Sequence, residues 1–195
     1  MSELFVKVCG ITTVEQLEWA IELGYDAIGL MFAPHSPRLV DIGTARELLV
    51  HANGRIQTFA VGLTLDQVEP LKDHVDTVQL YEPAEVQSLA LASDTPPDST
   101  DGLDYWFYDA SHGSGTFSEI PEWVHDVDAR FVLAGGLNPG NVAEVIAQYH
   151  PDGIDVSSGV ESRPGTKDYA LMKSFIEAAR GAGRDEATAT LRDTE

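Results

Sequence analysis

Short apolar runs rich in β-branched and aromatic residues recur along the chain, and between most of them the apolar positions fall at a helical period. The runs Phe5–Val8, Ala27–Phe32, Thr58–Leu63, Thr77–Tyr81, Tyr105–Tyr108, Phe131–Ala134 and Gly153–Val156 read as strands. The intervening pattern predicts helices over Thr13–Leu23, Ile42–His51, Asp66–His74, Ala84–Leu91, Asn141–Tyr149 and Asp168–Ala179. Thr13 with Gln16 three places on resembles a capping box, and Gly24 suits the residue after the helix end. Strands alternating with helices are the pattern of repeated βα units around a parallel sheet.

The count stops at seven strands, one short of a closed eight-stranded α/β barrel. The gap lies between Tyr81 and Tyr105, where Ser93–Asp101 (SDTPPDSTD) reads as loop, so a short or irregular fifth unit is expected. The alternative arrangement is an open, doubly wound sheet. At 195 residues the chain fits one domain, expected over 1–180, with 181–195 as a mobile polar C-terminal tail.

No basic region and apolar core of a secretory signal opens the chain, and no apolar stretch reaches the length of a membrane span, so a cytoplasmic location is expected. A single cysteine cannot form an internal disulfide. Thirty-two acidic against 12 basic residues give a net charge of −20, which disfavours binding to nucleic acid or an anionic membrane surface. The same acidity suits either a salt-rich cytoplasm or an ordinary soluble surface. A small anion on such a chain must be held by local dipoles and a few placed cations.

Polar and glycine-rich residues cluster immediately after the strands: Cys9-Gly10, Ser36-Pro37-Arg38, Asp109, Gly135-Gly136 and Ser157-Ser158-Gly159. In a parallel barrel these strand ends share one rim, where active sites are built. Side chains alternate along a strand, so Phe5, Lys7 and Cys9 share a face, as do Phe107 with Asp109 and Asp155 with Ser157. Taken alone, Cys9 reads first as an inert buried thiol and Asp109 equally as a turn cap. Their place at polar strand ends favours a base and an acid. Lys7, in an otherwise apolar strand, needs a carboxylate partner, Asp155 or Asp109, and an internal ion pair suits it better than Schiff-base chemistry. Gly135, Gly136, Ser157, Ser158 and Gly159 follow the last two strands, where such barrels bind phosphate through backbone N–H groups. The six histidines show no metal-ligand spacing, so no metal site is expected.

These residues resemble the phosphoribosylanthranilate isomerases of tryptophan biosynthesis. The likeness rests on Lys7-Val-Cys-Gly-Ile-Thr12, Ser36-Pro-Arg38, Val78-Gln-Leu80, Ala134-Gly-Gly-Leu-Asn-Pro139, Asn141-Val142, Asp155-Val-Ser-Ser-Gly-Val-Glu161 and Pro164-Gly-Thr-Lys-Asp168. It spans roughly residues 4 to 180 and implies a TIM-type (β/α)8 barrel. It also implies an Amadori rearrangement of N-(5-phosphoribosyl)anthranilate without cofactor or metal. At matching positions Cys9 becomes the general base at the sugar C2′ and Asp109 the general acid for ring opening. Arg38 contacts the substrate carboxylate, and Lys7, Gly135, Gly136, Asp155, Ser157, Ser158 and Gly159 join it in binding substrate. The implied partner is a small phosphorylated molecule, and the chain itself is expected as a monomer or homodimer.

The sequence departs from the family pattern at Tyr81-Glu82-Pro83, where His-Gly and an acidic residue are usual, and at His112-Gly-Ser-Gly115 with Thr116-Phe117 and a displaced Trp123. Two other readings stay open: a non-catalytic phosphometabolite-binding barrel, and the related sugar isomerase of histidine biosynthesis, which carries aspartate where this chain has Cys9.

Overall fold

A computed structural model of the chain describes residues 3–109, 111 and 120–192, with side chains described as far as residue 183. Eight parallel strands close on themselves in sequence order: β1 (Phe5–Cys9), β2 (Ala27–Met31), β3 (Gln57–Val61), β4 (Thr77–Leu80), β5 (Leu89–Ser93), β6 (Leu103–Asp109), β7 (Phe131–Ala134) and β8 (Gly153–Val156). Closure pairs β1 with β8, Lys7 opposite Asp155, which excludes the open doubly wound sheet.

Strand alternation splits the core into two layers. Inward-facing Phe5, Phe59, Tyr105 and Phe107 interlock with Ala27, Ala90, Ala92 and Ala134, large against small, and fill the barrel. Outward-facing Val6, Val8, Ile28, Leu30, Ile154 and Val156 pack beneath the helices.

Those helices are α1 (Val14–Leu23), α2 (Ile42–Ala52), the single turn α3 (Leu65–Val68), α4 (Val142–Tyr149) and α5 (Tyr169–Arg192). Thr13 Oγ1 accepts from the Gln16 N–H and Gln16 Oε1 accepts from the Thr12 N–H, while Gly24 ends α1 in the left-handed region. A hairpin, β9 (Glu161–Arg163) with β10 (Thr166–Lys167), follows β8 and precedes α5.

The fifth unit is where expectation and structure part. Leu89–Ser93, read in part as the end of a helix, is strand β5, paired with Val78–Leu80 on one side and Leu103–Tyr108 on the other. Its unit does lack a helix, as do those of β4 and β6 among the described residues. Aromatic packing covers that sector instead. A 3-10 turn at Glu122–Asp126 lays Trp123 against Trp106 and Tyr108, with ring centroids 5.6 and 5.8 Å apart.

The expected helix over Asp66–His74 shortens to α3 and a 3-10 turn at Glu69–Leu71, which contains Pro70. At the other end α5 continues through Arg192, beyond the boundary expected at Arg180. Arg180 itself bonds the backbone carbonyls of Leu4 and Gly24 and the Asp26 carboxylate, tying α5 to the strand starts. The altered stretch His112–Phe117 lies outside the described residues.

Candidate active site

Cys9 ends β1 with its side chain directed into the barrel mouth, as strand parity requires. Directly beneath it Lys7 is fully buried and does not line the cleft; its Nζ lies 3.0 Å from Asp155 Oδ1. The pairing follows from register, since Lys7 and Asp155 sit opposite each other on β1 and β8. The ammonium also lies 5.4 and 5.1 Å from the ring centres of Phe59 and Phe107. Burial works against charge on Lys7, but Asp155 and Cys9 outweigh it and hold its pKa above the ordinary lysine value. The Asp155 carboxyl is itself pushed up by burial, which Lys7 only partly offsets. The 3.0 Å contact, with no open face on the lysine, is that of an ion pair.

The Cys9 thiol is also pushed up by burial, more than Lys7, Lys167 and Arg38 together pull it down. The resting side chain is therefore a neutral thiol. Room for it comes from Gly29, its register partner on β2. A Cβ there would stand 2.7 Å from Cys9 Sγ and 3.2 Å from Lys7 Nζ.

Asp109 closes β6 on the same rim. Its Oδ1 accepts from both the N–H and the hydroxyl of Ser111, at 3.0 and 2.8 Å. Its Oδ2 lies 3.4 Å from the Tyr81 hydroxyl. Gly135, at φ +90°, again makes the space, because a Cβ would meet Asp109 Oδ1 at 2.7 Å.

Arg38 reaches the cleft from the loop after β2, but two of its donors are already engaged. Nε and Nη2 donate to the two oxygens of Glu161 at 2.7 and 2.8 Å, and the Glu161 side chain is 3% exposed. The outer Nη1–Nη2 edge of the guanidinium remains for an incoming anion. Glu161 also accepts from Lys167 Nζ at 2.8 Å, and Lys167 in turn contacts the Ser157 carbonyl and hydroxyl at 3.0 and 3.4 Å. Three acceptors match the three N–H bonds of an ammonium.

The loops after β7 and β8 meet at Gly159. A side chain there would run into the Leu137 carbonyl, so Gly159 acts as the packing joint between the loops, while Gly135, Gly136, Ser157 and Ser158 line the cleft.

The cleft encloses about 400 Å3, within the range of small-molecule sites. It gathers Cys9, Arg38, Asp109, Asp155, Ser157 and Ser158 on one mouth. It also brings in Gln79 and Tyr81, whose roles the sequence left unassigned. Gln79 is buried, and its Oε1 has no hydrogen-bond partner among the described residues. Parity along β4 was the available signal for both: Thr77, Gln79 and Tyr81 share the inner face. Glu161 and Lys167 had no such signal, because only the hairpin brings them together.

The family model for N-(5'-phosphoribosyl)anthranilate (PRA) isomerase matches residues 99–178. An N-(5'-phosphoribosyl)anthranilate isomerase of Rhodopseudomonas palustris (strain BisB5) is 35% identical over 211 residues, covering 91% of this chain and 96% of that protein. The crystal structure of TrpF from Jonesia denitrificans superposes with a TM-score of 0.79 at 33% identity, covering 92% of this chain and 98% of its own. A phosphoribosyl anthranilate isomerase in complex with reduced 1-(o-carboxyphenylamino)-1-deoxyribulose 5-phosphate follows, with a TM-score of 0.72 at 28% identity and coverage of 91% and 99%. With the Rhodopseudomonas palustris relative 35% identical across 91% of the chain and the Jonesia denitrificans structure superposing over 92% of it, the chain belongs to the phosphoribosylanthranilate isomerase family.

Proposed function

We propose that the protein converts N-(5-phosphoribosyl)anthranilate to 1-(2-carboxyphenylamino)-1-deoxyribulose 5-phosphate, with Cys9 as base and Asp109 as acid. The observation that carries this reading is the convergence of a thiol, a carboxyl and a guanidinium on one cleft whose far edge is made by the Gly135-Gly136 and Ser157-Ser158 loops.

Asp109 Oδ1 accepts two short bonds from Ser111 and Oδ2 only the long one from Tyr81, so Oδ2 is the oxygen that delivers a proton to the ring oxygen of the sugar. The ring C–O bond then breaks as the anilino nitrogen forms a double bond to C1′. The resulting iminium acidifies the C2′ proton, which passes to the sulfur of the thiolate form of Cys9, the thiol having first released its own proton to solvent. The electrons left behind form an enolamine, and proton transfer from its hydroxyl oxygen to C1′ completes the ketone.

A thiol held high by burial is a strong base once ionised, and Lys7 beneath it offsets the charge it carries. The free edge of Arg38 takes the anthranilate carboxylate. Gln79 Oε1, buried and unpartnered among the described residues, accepts from a substrate N–H or O–H. The phosphate rests on the loops after β7 and β8, where Gly136 turns at φ +68° and lets backbone approach the oxygens.

The test follows fluorescent phosphoribosylanthranilate as purified protein consumes it. Cys9→Ala and Asp109→Asn are each expected to remain folded and to lower kcat by at least about 10²-fold. The reduced product analogue should still bind Cys9→Ala within about tenfold of the wild-type Kd. No turnover above background by the wild-type chain would overturn the isomerase reading in favour of a phosphometabolite-binding barrel.

A further inference from the structure

Glu161 stands between the two ends of the proposed substrate site. One face of its carboxylate grips Arg38 through two hydrogen bonds, and Oε1 also holds Lys167. Lys167 passes the connection to Ser157 in the loop assigned to phosphate. Gly165 N–H closes the ring from the hairpin turn, 3.3 Å from Oε2. Burial works against the Glu161 charge, but the bonds from Arg38 and Lys167 outweigh it and hold the carboxyl below the ordinary glutamate range. The cluster carries one anion and two cations. Burial pulls Lys167 below the ordinary lysine value, and Glu161 only partly offsets this.

We infer that Glu161 is a positioning residue that fixes the separation of the carboxylate-binding Arg38 from the phosphate-binding Ser157–Gly159 loop, and so selects ligands carrying both anions at that spacing. The inference rests on the isomerase reading for the identity of the two anions. Its physical basis is that a guanidinium held at two points cannot swing about its long side chain, so its free edge is presented in one orientation. Lys167 cannot substitute as a ligand for the substrate, since its three N–H bonds are all directed at protein acceptors.

Glu161→Gln separates this role from two simpler ones. The amide offers one acceptor oxygen and turns an NH2 toward cations, so the two-point grip on Arg38 is lost while the local charge becomes more positive. Binding of inorganic phosphate and of the reduced product analogue is measured by calorimetry on both proteins. A positioning role predicts that phosphate binds as tightly or more tightly, while the two-anion analogue weakens by at least about tenfold. KM should rise by more than kcat falls.

If Glu161 only tunes charge, both ligands bind more tightly, and if it only supports the fold, both weaken together. Either parallel change overturns the inference, as does unchanged affinity for both. Glu161→Asp keeps the charge but draws it back from Arg38, and should show the same split in smaller measure. It carries the test if the glutamine variant does not fold; failure of both to fold would make Glu161 a folding residue and overturn the positioning role. Turnover by the wild-type protein keeps the two questions apart, because an inactive wild type defeats the isomerase reading whereas the phosphate–analogue split is read without turnover.

Discussion

Replacing Gly29 with alanine tests the catalytic geometry without touching a reacting group. The residue lies in β2 beside Cys9, in ordinary extended backbone, so alanine brings no penalty of its own there. The added methyl would stand 2.7 Å from the sulfur, 3.2 Å from Cys9 Cα and 3.2 Å from Lys7 Nζ. Carbon and heavier atoms pack at about 3.5–4.0 Å, so the thiol must move by about 1 Å. The close approach to Cα means that rotating the thiol does not fully relieve the contact, and β1 and β2 must also part slightly.

Overpacking of this kind costs about 1–3 kcal/mol, and each kcal/mol lowers Tm by about 2–4 °C in a chain of this size. Displacing a proton-accepting atom by about 1 Å costs about 10²-fold in kcat. The measurements are Tm by circular dichroism and kcat from the fluorescence assay. Gly181→Ala serves as the control, because that helical glycine has open space around its would-be Cβ, and alanine there should stabilise slightly and leave kcat unchanged. A folded Gly29→Ala protein with kcat within about threefold of wild type would refute the claim that the sulfur's position matters.

Arg38→Ala should raise KM by an amount equivalent to about 1.5–3 kcal/mol through loss of a charge-assisted contact, and an unchanged KM in a folded protein would remove Arg38 from the site. The Cys9 thiol titrates above the ordinary cysteine value because burial disfavours its anion, so its thiolate fraction grows with pH into the alkaline range. As the only cysteine, it can be followed by iodoacetamide labelling, whose rate should still be climbing at about pH 9; saturation by about pH 8 would show the cationic neighbours dominating instead.

Alternation of apolar and polar positions, by itself, determined the repeated βα order and seven of the eight strands, because period and turn chemistry are local properties. It also determined which strand-end residues face the mouth: once β1 is a strand, Cys9 must lie on the face of Phe5 and Lys7. Asp155 as a partner for Lys7 was legible as one of two candidates. Only closure of the barrel, which sets β8 beside β1, made the choice.

The fifth strand was hidden for a related reason. Leu-Ala-Leu-Ala-Ser is as good a helix former as a strand former, and its pairing with β4 and β6 decides the matter: Ala90 and Ala92 are small because Tyr105 and Phe107 occupy the barrel interior beside them. The protonation of Cys9 likewise depends on the balance between burial and cations brought from β1, the β2 loop and the hairpin, and no spacing in the chain encodes that balance. Gly29 and Glu161 belong with it, since what each does is set by atoms from distant segments that only tertiary packing puts within reach.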